Sequence, residues 1–266
     1  MKFILSSIFI ILSSVVIFSQ NLTGFIEYNL KIVSDTVHGI DQEQKNTLYF
    51  DINENKSLWV TRRKEKNIKE TKQDTKFSYG KNGGIAYIKQ SPKAFDSIGV
   101  LVFKSYKTKE LIGRDYISNK PFIIQNDYPK IVWQILNETK IIAGLECQKA
   151  NGDYHGRNYT AWFTNKIPIP DGPWKLCGLP GLILEAYDEK VHIKFELVNL
   201  EFPKNIDEKL IAPDNGEEIN FKNYHKQYEI SVDDAIKRAL GIAGDLNNVR
   251  INNFVRATTI ERNIED

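Results

Sequence analysis

The stretch Ile26-Glu27-Tyr28-Asn29-Leu30-Lys31-Ile32 alternates apolar and polar side chains without a break. A strand repeats every two residues, so this alternation puts Ile26, Tyr28, Leu30 and Ile32 on one face and polar groups on the other. The same signal recurs outward from it. Thr47 to Ile52 and Leu58 to Arg62 flank the polar cluster Asp51-Ile52-Asn53-Glu54-Asn55 and read as a hairpin. Gly83-Gly84 precedes Ile85-Ala86-Tyr87-Ile88, a strand after a turn. Gly99 to Tyr106 is rich in Val, Leu, Phe and Tyr, and Glu110 to Ile117 follows after Lys107-Thr108-Lys109. Ile131 to Leu136 and Ile141-Ile142 lie either side of Asn137-Glu138-Thr139-Lys140, which reads as another turn. Strands spaced by roughly 8–12 residues, with turn residues between, are the pattern of an antiparallel sheet, sandwich or barrel.

Helix signals are sparse. Ser231 is a suitable N-cap for Ala235-Ile236-Lys237-Arg238-Ala239-Leu240, and Gly241 suits its end. Residues 205–223 carry Pro213 and Asn215-Gly216 and read as a long loop. No repeat or linker divides the chain, which predicts one domain over 21–266.

Residues 1–20 form a separate unit. Lys2 precedes an apolar and small run from Ile4 to Phe18 and then Ser19-Gln20. That run is shorter than the roughly 20 residues a spanning helix needs, so it reads as a secretory signal peptide. The processed chain is expected to have no transmembrane anchor and to reside in the periplasm or at the outer membrane. Lys2 is the only charge of the leader, so its removal leaves 35 of the 36 basic side chains against 34 acidic ones. This balance argues against a nucleic-acid partner, which needs a net basic face. The run Arg62-Arg63-Lys64-Glu65-Lys66 reads as a solvated hairpin edge. Two cysteines, Cys147 and Cys177, are a disulfide candidate in an oxidising compartment.

Residues 131–201 carry the most distinctive sequence. Trp133, Glu138-Thr139-Lys140 and Gly144-Leu145-Glu146-Cys147-Gln148-Lys149-Ala150 come first. Gly156-Arg157-Asn158-Tyr159-Thr160-Ala161-Trp162-Phe163-Thr164, Ile167-Pro168 and Gly172-Pro173-Trp174-Lys175 follow, and Gly178-Leu179-Pro180-Gly181-Leu182-Ile183-Leu184-Glu185 ends the series. This order of motifs resembles the bacterial GLPGLI family. The resemblance implies an exported envelope protein of a family without an assigned activity, often encoded beside outer-membrane transport components.

Pro180-Gly181 reads as a type II turn, with proline at φ near −65° and glycine at positive φ. Leu182 to Tyr187 and Val191 to Leu200 read as a hairpin with Asp188-Glu189-Lys190 at its tip. Between Cys147 and Phe163, Asn151-Gly152 is a generic turn signal, whereas the family resemblance favours His155-Gly156. Pro168, Pro170 and Pro173 exclude a central strand and predict an extended loop that carries Trp174 and Cys177 back over the sheet.

Binding candidates are Arg157, Trp162, Trp174, Lys175, Leu179 and Pro180. Arg157 suits an anionic group or a cross-strand pair with Glu185. Trp162 suits the core, and residues 178–183 suit either a tight turn into a core strand or a lip that meets a ligand. Asp153 and His155 offer two polar ligands at a hairpin tip, short of a metal set. A Cys147–His155 nucleophile pair would be disarmed by the disulfide. Gly-x-Ser-x-Gly, P-loop and dinucleotide patterns do not occur, and no cofactor is expected.

The expected fold is mainly β, a curved antiparallel sheet or half-open barrel with a C-terminal helix and a Pro-rich crossing loop. Its strand pattern resembles that of periplasmic lipoprotein carriers. Three functions are open: a non-catalytic carrier of a small apolar or amphipathic ligand; an accessory subunit docking on an outer-membrane transport complex; and a hydrolase built on Asp153, His155 and Arg157.

Overall fold

The computed structural model describes residues 22–35, 40–62 and 96–243. The expected leader at 1–20, the expected strand at 85–88 and the basic run beyond Arg62 lie outside them.

Alternating sequence gives twelve strands among the described residues. The first meander is β1 (Thr23–Asp35), β2 (Ile40–Asp51), β3 (Lys56–Thr61), β4 (Val100–Ser105), β5 (Glu110–Ile117) and β6 (Lys120–Asn126). The second is β7 (Gln134–Ile142), β8 (Leu145–Tyr154), β9 (Arg157–Thr164), β10 (Leu182–Asp188) and β11 (Ile193–Glu201). A short β12 (Glu217–Asn220) and helix α1 (Phe221–Ala243) follow. The strand order is β12-β6-β5-β4-β3-β2-β1-β11-β10-β9-β8-β7. The second meander thus returns so that β11 pairs antiparallel with β1, and β12 adds parallel to β6. The sheet is open, with β12 and β7 at its two ends.

The alternation sorts side chains as expected. Ile26, Tyr28, Leu48, Phe50, Trp59 and Phe195 are buried in one large core, with Tyr28 and Trp59 rings 5.6 Å apart and Trp59 edge-on to Phe195 at 6.0 Å. On the opposite face Leu58, Val60, Leu101 and Phe103 form a second core under Leu210. Residues 202–216 therefore lie across the outer face, where Arg62 clasps the Glu208 carboxylate with two bonds of 2.9 and 3.0 Å.

Arg114 shows how loops are tied down. Its buried guanidinium donates to Gly99 O at 2.6 Å, Asn215 O at 2.7 Å and Asp96 Oδ2 at 2.6 Å. Burial alone would push the Asp96 carboxyl up. Hydrogen bonds from Arg114, Tyr116 and the Gly99 N–H outweigh it and hold the carboxyl at about 2. The folded value is below the unfolded value of about 3.9, so this stabilisation is complete above roughly pH 4 and is lost as pH falls through about 2. Denaturant titrations at about pH 5 and about pH 2.5, either side of the unfolded value, are expected to show a smaller acid loss in Asp96→Asn than in wild type.

Several elements differ from the sequence reading. Asn137 to Lys140 is no turn: it lies inside β7, whose register against β8 shifts between Ile135 and Thr139. The turn falls at Ala143-Gly144, both at positive φ (50° and 78°). β6 was hidden because Pro121 sits within it, where β5 is its partner and the β12 ladder starts only at Phe122. The 205–223 segment holds β12 and the helix start. Asn220 caps the helix by accepting the Asn223 N–H at 2.8 Å. Ser231 is inside the helix, bonded to Tyr228 O at 2.7 Å. Phe221, Tyr224, Tyr228 and Val232 recur at helical spacing on its more buried face, and Tyr224 meets Phe122 edge-on at 6.0 Å.

Candidate functional site

The Pro-rich segment crosses the inner face of the sheet. Its prolines lack donors, and the chain folds on itself through Ile169 N to Ile167 O (2.9 Å) and Asp171 N to Ile169 O (2.7 Å). Ile167, Ile169, Leu176 and Leu179 are buried in the main core. The inner face of the sheet is therefore covered there by the protein's own loop.

One lysine fastens that loop. Lys104 on β4 is fully buried, as is Asp171 of the loop, and the two form an ion pair. The same ammonium donates to Gly172 O at 3.0 Å and Trp174 O at 2.8 Å. Three acceptors match its three protons. Burial first, and the Asp171 carboxylate second, hold the neighbouring Tyr106 phenol well above its usual range. Trp174 sits at φ 53°, a left-handed conformation that is strained for a bulky residue by about 1–3 kcal/mol.

This conformation places the Trp174 ring at the rim. It meets Tyr154 edge-on at 5.8 Å, and Tyr154 meets His155 at 4.2 Å. His155 lies 5.7 Å from Phe221 at the start of α1, and Phe221 lies 6.5 Å from His225. Lys175 stands 4.4 Å above the Phe221 ring and 5.2 Å from that of Trp174, and donates to Asn126 Oδ1 at 2.8 Å. Three chain segments thus build one lip of aromatic rings around a cation: the β8–β9 turn, the crossing loop and the helix start. The sequence reading had Trp174 and Lys175 but missed Tyr154 and Phe221. The helical spacing of Phe221, Tyr224 and Tyr228 was the available signal.

The other candidates fall elsewhere. The turn at Tyr154–Arg157 uses His155 and Gly156, both at positive φ (46° and 71°). Arg157 is buried and pairs with Asp188 at 2.7 Å, not with Glu185. The register explains why: Asp188 pairs with Tyr159 on the Arg157 face, while a shift after Ile183 sets Glu185 opposite Trp162 on the other face. There Glu185 takes Lys140 at 2.8 Å. Trp162 lies on that outer face under Lys140 (4.4 Å) and Lys149 (5.9 Å). Asp153 pairs with Asn158 on the outer face while Arg157 pairs with Tyr154 on the inner one, so Asp153, His155 and Arg157 do not converge. Cys147 and His155 are eight residues apart along the same strand and its turn, on the order of 25 Å.

The hexapeptide Gly178 to Ile183 has a packing explanation. Positive φ occurs at Gly178 (98°), and not in the expected type II turn at Pro180-Gly181. Leu179 is buried while Pro180 is exposed. Gly181 is required by proximity: a Cβ there would lie 2.1 Å from Thr164 O. Leu182 and Ile183 then enter the core.

The expected disulfide is not formed; Cys147 and Cys177 are free and buried. Cys147 shares the outer face with Lys149, which pairs with Trp162. Cys177 rides on the crossing loop over the inner face, where its carbonyl accepts the Trp133 Nε1–H at 2.8 Å. The sheet separates them. Burial pushes both thiols up to about 11.

Residues 155–185 match the family model described as "Protein of unknown function (Porph_ging)". The stretch spans the β8–β9 turn, β9, the crossing loop and the start of β10. No curated protein sequence is significantly similar to the chain. Among solved structures, PNGF-II resembles it in two crystal forms, with TM-scores of 0.51 and 0.52 at 18% identity. The match covers 79% of this chain and 33% or 34% of PNGF-II, so the chain spans about a third of that protein's length. At this identity the likeness is one of fold alone. An uncharacterized conserved protein from Thermus thermophilus aligns with TM-score 0.39 at 9% identity, over 75% of this chain and 91% of that one.

Proposed function

We propose that this chain is a GLPGLI-type, exported, non-catalytic binding protein of the cell envelope, in the periplasm or at the outer membrane. Its contact surface is the lip of Tyr154, His155, Trp174, Lys175 and Phe221. The leader sequence and the order of family motifs support export. The observation that carries the binding reading is Trp174, a bulky residue at φ 53° inside the Pro173–Leu176 turn, with its carbonyl held by a fully buried lysine. Strain of this kind persists only where surrounding structure over-determines it, and it concentrates at functional sites. The half-buried rings suit the apolar body of a small amphipathic ligand, while the Lys175 ammonium, 6% exposed and donating to Asn126 Oδ1, braces the rings from behind. Ile169, Leu176 and Leu179 fill the inner face beneath the loop, so such a ligand engages the lip.

Native mass spectrometry on protein purified gently from envelopes tests this. Wild type is expected to retain a small-molecule mass, and Trp174→Ala to reduce the occupied fraction about tenfold, the loss of one aromatic anchor. Equal occupancy in both proteins, or no retained mass in wild type, would remove the reading.

A second reading, an accessory subunit docking on an outer-membrane transport complex, is favoured by one observation. Strand β7 ends the sheet, and Ile135 and Ile141 on it are exposed (46% and 68%). Open edges accept added strands. Pull-down from intact envelopes that recovers the same proteins with Ile141→Lys as with wild type would count against it.

A further inference from the structure

We infer that the occupant of the β7 edge is β7 of a second copy, paired antiparallel about a twofold axis at Thr139. Among the described residues β7 has a strand neighbour on one side only, β8. Its irregular part ends before Thr139, and regular pairing with β8 runs from Thr139 to Ile142. The register of any added strand is therefore decided around these residues.

Faces follow from the β8 ladder. Thr139 opposes Gln148 and Ile141 opposes Glu146, while Lys140 opposes Cys147. Gln148 pairs with Phe163 and so marks the inner face, and Lys140 and Lys149 share the outer face with Trp162. Glu138 reaches Lys149 at 2.9 Å, which sets it on the outer side too. A twofold axis perpendicular to the sheet keeps faces matched, so opposed residues are an even number of positions apart in sequence.

Charge selects one such register. An axis at Glu138 opposes two glutamates, and an axis at Lys140 opposes two lysines. An axis at Thr139 opposes the two threonines and sets Glu138 against Lys140 of the other copy, twice. Opposed charges of unlike sign stabilise adjacent strands and like signs disfavour them. In the single chain both charges already have partners on the inward side of the edge. Lys149 holds Glu138, and Glu185 holds Lys140 at 2.8 Å. Across the axis Glu138 meets Lys140 of the second copy on the outer face, and the twofold axis repeats the contact. Glu138 is 60% exposed and Lys140 34%, so both are accessible before pairing. Ile135 and Ile141 lie on the Thr139 face and lose exposed apolar surface when the edge is covered. Only the edge is shared with the docking reading, and the lip plays no part in the pairing.

The test is self-association of the processed chain by sedimentation velocity across micromolar concentrations at low salt. Wild type is expected to dimerise. Glu138→Lys alone and Lys140→Glu alone are each expected to weaken dimerisation about tenfold or more, because each opposes like charges twice. An equimolar mixture of the two variants is expected to form a heterodimer, since one copy then carries two lysines and the other two glutamates at the paired positions. Circular dichroism of each variant shows whether it folds, and formation of the heterodimer itself requires both to fold. A monomeric wild type, or folded single variants that dimerise as well alone as when mixed, would overturn the inference. Recovery of envelope proteins by a strictly monomeric wild type would assign the edge to docking instead.

Discussion

Lys104→Ala is expected to destabilise the fold by about 3–5 kcal/mol, the cost of leaving a buried charge without its partner. The loss has two parts. Asp171 keeps its carboxylate in a fully buried position with its ammonium gone. The Gly172 and Trp174 carbonyls lose their donor in the same step, and each buried orphan adds about 1–3 kcal/mol of desolvation cost before relaxation. Relaxation takes the form of loop release, since the bond from Lys104 is what holds the Trp174 carbonyl in place. Urea titration reports the first effect, and near-ultraviolet circular dichroism reports the changed Trp174 surroundings. The double variant Lys104→Met with Asp171→Leu separates the parts. It removes both charges and is expected to recover the ion-pair portion, while the two carbonyls and the Gly172 N–H, which donates to Asp171 Oδ1 at 2.7 Å, stay unsatisfied and recovery stops short of wild type. A Lys104→Ala protein within about 1 kcal/mol of wild type, the size of one ordinary hydrogen bond, would mean the clamp is dispensable.

Gly181→Ala is expected to cost about 3 kcal/mol, at the upper end of overpacking effects. The new methyl would lie 2.1 Å from Thr164 O and 2.6 Å from Thr164 C. Both are backbone atoms of β9, paired with Leu182 of β10, so neither moves without breaking the ladder. Gly178→Ala tests a different cause. A Cβ there meets nothing closer than 3.7 Å, and its penalty comes from φ 98° alone, about 1–2 kcal/mol. Thermal denaturation of the two variants is expected to rank Gly181→Ala as the more damaged. The reverse order would show that backbone conformation governs this hexapeptide more than the approach of β9.

Much of the fold was legible because side-chain alternation is a strong signal wherever one face is buried. β1, β4, β5 and the β10–β11 hairpin follow from it, the family resemblance favoured the β8–β9 turn at His155-Gly156 over the generic signal at Asn151-Gly152, and the three prolines marked the crossing loop. The failures share a cause. Asn137 to Lys140 carries turn-forming residue types, yet β7 stays paired with β8 by carrying extra residues in an irregular stretch between Ile135 and Thr139. Glu185 is the obvious cross-strand partner for Arg157 until one shift in β10 turns it to the opposite face. Cys147 and Cys177 satisfy every compositional criterion for a disulfide, and only the face of the sheet, which depends on register, keeps them apart. The candidate site was half visible. Trp174 and Lys175 stood out as residue types, whereas the Lys104 clamp links residues far apart in the chain and has no local signature.

The position of β11 beside β1 has a consequence for how the molecule is made. Phe25 finds its partner Glu201 only at the far end of the second meander, and β6 acquires β12 later still. A chain that emerges from its N-terminus therefore has no partner for the flanks of β1 and β6 until most of the polypeptide has appeared. Such long-range closure is intrinsically slow and leaves strand flanks open to wrong partners. For this chain the hazard belongs to biogenesis, and the last strands to arrive, not the first to fold, decide when it ends.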